Sequence, residues 1–267
     1  MVSIWDAYVS LRQALTDIGV EEAELEAREL VAFALHGQAK HARAWRELPL
    51  DAETREQLHA LFERRKQDEP LAYILGEWDF YGNRFVVTPD VLIPRGDTEW
   101  LCDAAVQAAK RQKQPKILDL CCGSGCIGLS IALAVARRNA ALHGLSQPRV
   151  TITAGDALRP NSIHDIFTII VSNPPYITAQ EMIALDRSVD AYEPHLALYG
   201  GADGLDFYRA MAQRPAFSLA SGGLLFAECG WKQGEQAAQL FRQAGWKNVH
   251  LREDLAGIPR IICAEKL

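Results

Sequence analysis

Ile117-Leu118-Asp119-Leu120-Cys121-Cys122-Gly123-Ser124-Gly125-Cys126-Ile127-Gly128-Leu129 reads as a strand, a glycine turn and the start of a helix. Gly123 and Gly125 remove two Cβ atoms, so backbone and ligand can approach closely there. Gly128 completes the Gly-x-Gly-x-x-Gly spacing of a dinucleotide site. Asp119 argues against that ligand. A carboxylate at the strand end repels a pyrophosphate and suits a group carrying positive charge, such as a sulfonium with an amino group.

Downstream, Phe167-Thr168-Ile169-Ile170-Val171 is apolar, β-branched and short, the pattern of a buried strand. Ser172-Asn173-Pro174-Pro175-Tyr176 follows it. Two prolines end the strand, because neither can donate to a ladder. Asn173 is thereby fixed at the carboxyl end of a strand, where open α/β sheets hold their ligands. Its amide, the bare proline carbonyls and the Tyr176 ring suit a planar group bearing an NH2. Taken alone, the tetrapeptide also fits a proline-terminated strand with a capping Asn.

Around these motifs the chain alternates. Strands are expected at Lys116 to Leu120, Val150 to Thr153, Phe167 to Val171 and Gly223 to Ala227. Helices are expected after an Asp97 or Thr98 cap through roughly Lys110, at Asp206 to Ala220 and at Gly234 to Ala244. Val249 to Arg252 and Arg260 to Ala264 make a closing pair of strands. Alternation of this kind predicts an α/β fold with a parallel, doubly wound sheet. Residues 177–204 have no clear period and are long for a plain connection, which suggests a lid or substrate loop. Glu193 and Pro194 would shape it.

The N-terminal third reads differently. Ser3 with Asp6 is a capping-box pattern before Ile4, Tyr8, Leu11, Leu15 and Ile18, and Gly19 stops the helix. Further helices are expected at Glu21 to Leu35, closed by Gly37, and after Asp51 through Leu58, Leu61 and Phe62. Helices this short must pack on each other or on a partner. Gly82-Asn83 between two alternating runs signals a two-residue hairpin. The expected organisation is a helical domain over 1–70, a linking hairpin over 71–90 and an α/β domain over 91–267. Trp5, Trp45 and Trp78 are expected to pack in the core or the hairpin. Asp97 or Thr98 would cap the helix that follows.

The 267 residues carry a net charge of −6, so no broad basic face for nucleic acid is indicated. The six cysteines form no disulfide framework and suggest reduced thiols in a cytoplasmic protein. Cys121, Cys122 and Cys126 sit on one turn without a matching His pair, so space-filling thiols are expected and no metal site. No signal peptide and no membrane span are expected.

With these motifs in hand, the sequence resembles the release-factor glutamine N5-methyltransferases, a family of class I S-adenosylmethionine-dependent methyltransferases. The likeness rests on Pro70-Leu71-Ala72-Tyr73-Ile74-Leu75-Gly76, Phe80-Tyr81-Gly82, Leu92-Ile93-Pro94-Arg95, Asp119 to Gly125 and Asn173 to Tyr176. Tyr192-Glu193-Pro194, Asp203-Gly204-Leu205 and Gly222-Gly223-Leu224-Leu225 extend it over nearly the whole chain. The resemblance implies a Rossmann-like sheet and methyl transfer from S-adenosylmethionine to the glutamine amide of a Gly-Gly-Gln loop on peptide chain release factors. It implies that Asn173, Pro174 and Tyr176 are catalytic, with Pro175 in the substrate site and the helical domain binding substrate. It also implies that Asp119, Cys121, Cys122, Gly123, Ser124 and Gly125 hold the cofactor, with Asp156, Ala157 and Asn173. A monomer without membrane or nucleic-acid partners is expected. Asn-Pro-Pro-Tyr alone also fits a nucleic-acid adenine methyltransferase. Arg95 fits either a cofactor loop or a surface ion pair.

One departure stands out. Ile131-Ala132-Leu133-Ala134 runs straight into Val135-Ala136-Arg137-Arg138-Asn139-Ala140. Roughly two dozen residues are missing, judged against the usual ~30-residue βαβ unit, and with them the second strand. No acidic residue lies between Gly125 and Gly155, so no ribose ligand is assigned. One fused helix is expected from Gly125 to about His143. The strands flanking the missing one must then pair directly, or the sheet has a gap. A relative that binds release factor but holds cofactor poorly is the alternative this leaves open.

Overall fold

The computed structural model describes residues 2–36, 42–143, 151, 156–158, 165–213 and 219–267. The capping box forms as expected: Ser3 Oγ accepts from the Asp6 N–H at 3.2 Å, and Asp6 Oδ2 from the Ser3 N–H at 2.8 Å. It opens α1 (Ile4–Asp17), which buries Ile4, Tyr8, Leu11 and Leu15. α2 (Ala23–Ala34) and α3 (Ala52–Lys66) follow, and Asp51 caps α3 through the Thr54 N–H. Gly37 lies outside the described residues. A 3-10 turn at Ala42–Arg46, which the sequence did not suggest, brings Trp45 against Tyr8. Arg65 of α3 pairs with Glu26 of α2, Nε to Oε2 2.6 Å.

Residues expected to begin the hairpin are instead helical, as α4 (Leu71–Leu75). Pro70 suits the start of a helix, where an N–H would have no partner. The Arg64 guanidinium donates to the Tyr73 and Ile74 carbonyls at the other end, both at 3.3 Å. The hairpin comprises β1 (Glu77–Phe80) and β2 (Asn83–Val86). Its turn is Tyr81-Gly82, one residue earlier than expected. Both have positive φ, 50° and 69°, as a type I′ turn requires. Glu99 accepts the Tyr81 N–H at 2.7 Å, and the Asn83 side chain donates to the Tyr81 carbonyl at 2.9 Å, which fixes that register.

The chain divides into two compact units, Met1–Glu77 with Arg187–Tyr192, and Trp78–Asp186 with Glu193–Leu267. In the first, the Tyr192 hydroxyl donates to the Gln67 carbonyl at 2.9 Å. In the second, Phe80 and Phe85 of the hairpin bury in the same cluster as Leu101, Ala105 and Val171. The hairpin is therefore packed into the larger unit and is no free-standing link.

The larger unit contains α5 (Thr98–Lys110), β3 (Ile117–Leu120), α6 (Cys126–His143), β4 (Phe167–Ser172) and the short α7 (Ala179–Met182). α8 (Arg187–Tyr192) is the segment that belongs to the first unit. α9 (Asp206–Gln213), β5 (Leu219–Glu228), α10 (Gly234–Gln243), β6 (Lys247–Glu253) and β7 (Pro259–Glu265) complete the chain. The helix expected to reach Ala220 is described over Asp206–Gln213 and does not extend to Ala220, because Leu219 is already paired with Phe167 in the sheet. The strand order is β3-β4-β5-β7-β6. β3, β4 and β5 are parallel, and β7 lies antiparallel between β5 and β6. One face of the sheet carries α5, α6 and the hairpin; the other carries α9 and α10. Alternate residues serve the two layers: Ile169 and Val171 face one, Ile170 the other.

The fused helix is present as α6, 18 residues long. The expected strand over Val150 to Thr153 falls outside the described residues apart from Thr151. Its pairing across the missing segment lies there too.

Candidate active site

Parallel strands end on the same edge of a sheet, and here that edge gathers both motifs. Leu120 pairs with Ser172, and Ser172 with Ala227. Ser172 Oγ donates to the Leu120 carbonyl at 3.0 Å. The glycine turn after β3, Asn173 after β4 and Glu228 at the end of β5 thus lie side by side.

The glycine turn is left-handed at three points: Cys121 at φ 58°, Gly123 at 50° and Gly125 at 78°. Asp119 Oδ2 accepts the Gly128 N–H at 2.8 Å and so caps the first turn of α6. A Cβ on Gly128 would lie 3.0 Å from that oxygen, so glycine is what lets helix and strand approach. The other Asp119 oxygen, Oδ1, is buried without a hydrogen-bond partner among the described residues. Burial pushes the Asp119 carboxyl up to about 7, against the opposing pull of the Gly128 hydrogen bond. Of the three cysteines expected to fill space, Cys126 is buried and desolvation raises its thiol to about 11, whereas Cys121 and Cys122 are exposed on the turn and fill no core. Among the described residues no three potential ligands cluster as a metal site would require.

Asn173 is held by its amide: Nδ2 donates to Thr98 Oγ1 at 3.1 Å. Thr98 is the first residue of α5 and is buried. Asn173 Oδ1 and the Pro174 carbonyl accept no protein hydrogen bond among the described residues. The Tyr176 carbonyl accepts from Gln233 Nε2 at 2.9 Å. Burial raises the Tyr176 phenol, with the Glu228 charge adding to it. Ile177 bridges to Tyr199, and the Gly200 N–H donates to the Ile177 carbonyl at 2.9 Å. The loop that lacked a period in sequence therefore folds back along the Asn-Pro-Pro-Tyr segment. Its helices are four to six residues long, too short to show a period.

Arg95 ion-pairs with Glu193, whose side chain is 1% exposed and also accepts the Ile93 N–H at 3.3 Å. The choice left open for Arg95 thus falls to an ion pair, though with a buried carboxylate. Asp97 occupies the cap position of α5 without capping it, because Arg260 takes its carboxylate at 2.8 Å. Asp156 is exposed and accepts the Leu158 N–H at 2.8 Å, closing a turn over Ala157.

The PrmC N-terminal domain family matches residues 6–76. A release factor glutamine methyltransferase of Geobacter sulfurreducens is 38% identical, covering 94% of this chain and 92% of that protein. One of Bordetella pertussis is 39% identical over 94% of this chain and 97% of its own length. The chain belongs to the release factor glutamine methyltransferases. A solved protein-(glutamine-N5) methyltransferase (release factor-specific) from Alicyclobacillus acidocaldarius is 34% identical, covering 68% of this chain and 99% of that one, with a TM-score of 0.43.

Membership in a methyltransferase family implies S-adenosylmethionine as methyl donor, and the glycine-turn side of the site suits such a group. The partnerless Asp119 Oδ1 is a buried acceptor of the kind a cationic, amino-bearing ligand satisfies. A Cβ at Gly123 would meet nothing within 4 Å, so the space beside the turn is open. Sequence reasoning missed Thr98 as a partner of Asn173, and missed Glu228 and Gln233 altogether. Glu228 carried a signal: an acidic residue ending the apolar run Leu224-Leu225-Phe226-Ala227.

Proposed function

We propose that this protein transfers a methyl group from S-adenosylmethionine to the side-chain amide nitrogen of the glutamine in the Gly-Gly-Gln loop of peptide chain release factors. One observation carries the reading. Asn173 Nδ2 is engaged by Thr98, which leaves Oδ1 as a free acceptor beside the bare Pro174 carbonyl. An amide nitrogen is a poor nucleophile, because its lone pair is delocalised into its carbonyl. Two acceptors at the amide hydrogens fix its plane and increase electron density on nitrogen. Tyr176 packs against that plane, and Pro175 stiffens the loop. The methyl group is supplied on a positive sulfonium when S-adenosylmethionine is bound. The proton lost is one that Asn173 or Pro174 already holds, so no strong base is required. Positioning carries most of the rate. In this reading Asp119, Cys121, Cys122, Gly123, Ser124 and Gly125 line the cofactor, with Asp156 and Ala157 toward its base.

Incubation with labelled cofactor and purified release factor, followed by mass spectrometry, locates the methyl group. The expected product carries it on glutamine; label on duplex-DNA adenine with none on glutamine would overturn the proposal. A second reading is a relative that binds release factor but holds cofactor weakly. The lack of any acidic residue between Gly125 and Gly155 favours it. Calorimetric titration with S-adenosylmethionine separates the two, and no binding at millimolar ligand would select the second.

A further inference from the structure

Glu228 is fully buried, yet no step above uses it. β4 and β5 are in register to Ser172 and Ala227, so Glu228 stands level with Asn173. Its Oε2 has no hydrogen-bond partner among the described residues. The hydroxyls of Thr98 and Tyr176 sit beside the carboxyl and favour its charged form, as does Arg260; burial, the largest influence, and Asp97 oppose it. Two further titratable neighbours are the buried Cys229 thiol and Tyr208, whose hydroxyl donates to the Glu228 carbonyl at 2.8 Å.

We propose that Glu228 is a positioning residue that sets the direction of a hydrogen-bond chain from Asn173 through Thr98. Donors and acceptors decide the direction of that chain, given the proposed amide-methylating function on which this rests. Thr98 has one hydroxyl proton. Above about pH 7, where the Glu228 carboxyl is ionised, it can only accept, so Thr98 directs that proton to it. Its oxygen is then left to accept from Asn173 Nδ2, as the 3.1 Å contact requires. Without the carboxylate, Thr98 can donate to Asn173 Oδ1, and the amide turns over. Asn173 would then present NH2 to a substrate NH2, a donor facing a donor. A buried carboxylate thus selects an amide acceptor over a carboxylate one.

The test compares wild type with Glu228→Leu, Glu228→Gln, Thr98→Val and Thr98→Ser. It measures kcat and KM on release factor, and inhibition by release factor carrying Glu in place of the acceptor Gln. Glu228→Leu and Thr98→Val are expected to lower kcat about a hundredfold, the scale of a misplaced reacting group. In both, the Glu form should gain affinity relative to the Gln form by about tenfold, as a donor replaces an acceptor. Thr98→Ser keeps the hydroxyl and should stay within about threefold of wild type, and Glu228→Gln, whose Oε1 still accepts, should fall between. Folded Glu228→Leu and Thr98→Val proteins with kcat and the Gln-to-Glu preference unchanged would overturn the inference. Should Leu at 228 prevent folding, Thr98→Val against Thr98→Ser carries the test alone. Wild type that leaves glutamine unmethylated removes the proposed function and this inference together. Active wild type with insensitive variants removes the inference alone.

Discussion

On the proposed function, the choice between amide oxygen and amide nitrogen at Asn173 decides which substrate group fits, and the Thr98 hydroxyl that accepts from Nδ2 makes that choice. Asn173→Ala should lower kcat about a hundredfold, with a modest change in KM, because the oxygen acts on orientation. Steady-state methylation of release factor checks this. Asp119 holds two roles in one carboxyl: Oδ2 caps α6, and Oδ1 is buried with no partner. Asp119→Asn removes a charge that burial disfavours. The ligand-free variant should therefore melt higher than wild type at pH 8, while its affinity for S-adenosylmethionine falls. A purely structural cap predicts the opposite melting shift, so thermal melts and calorimetry on the same two proteins decide between the roles.

Between elements, contact distances set the tolerances. Gly128 lets α6 lie against β3, and a methyl there would sit 3.0 Å from Asp119 Oδ2 and 3.1 Å from its Cβ. Gly128→Ala should cost about 1–3 kcal/mol through overpacking, read from the urea midpoint. Gly200 packs on the backbone of the Asn-Pro-Pro-Tyr segment: a Cβ would lie 2.6 Å from the Pro175 carbonyl oxygen and 2.7 Å from the Tyr176 Cα. Neither neighbour is the end of a flexible side chain, so Gly200→Ala must displace the loop. It should lower kcat by at least about tenfold, the effect of misaligning reacting groups, with near-normal cofactor affinity. The glycine turn and the proline-ended strand could be read from sequence because Gly and Pro act on their own backbone. The Tyr81-Gly82 register could not, because Glu99, eighteen residues away, holds it. α4 was hidden because Arg64 supplies the partners for its last carbonyls.

For the molecule as a whole, two buried carboxyls govern the response to pH. Burial raises Asp119 and Glu228 each to about 7, from 3.8 and 4.5. Between those values the folded state binds more protons than the unfolded, so ligand-free stability should fall as pH rises from about 4 to about 7. Asp6, Asp51, Asp203 and Asp254 are lowered, chiefly by hydrogen bonds they accept, and their contribution is lost only as pH drops through the ordinary carboxylate range and below. Melting temperatures measured across pH 5 to 8 should therefore decline, and the decline should be shallower in Asp119→Asn. The alternation of strands and helices, the fused α6 and the donor and acceptor types at each motif were determined by the sequence alone. They arise from periodicity and backbone chemistry within a few residues. Only the tertiary structure decided that Thr98, Asn173 and Glu228 share one site. Strand register joins residues 55 positions apart and the Asn173–Thr98 bond residues 75 apart, which no local pattern records.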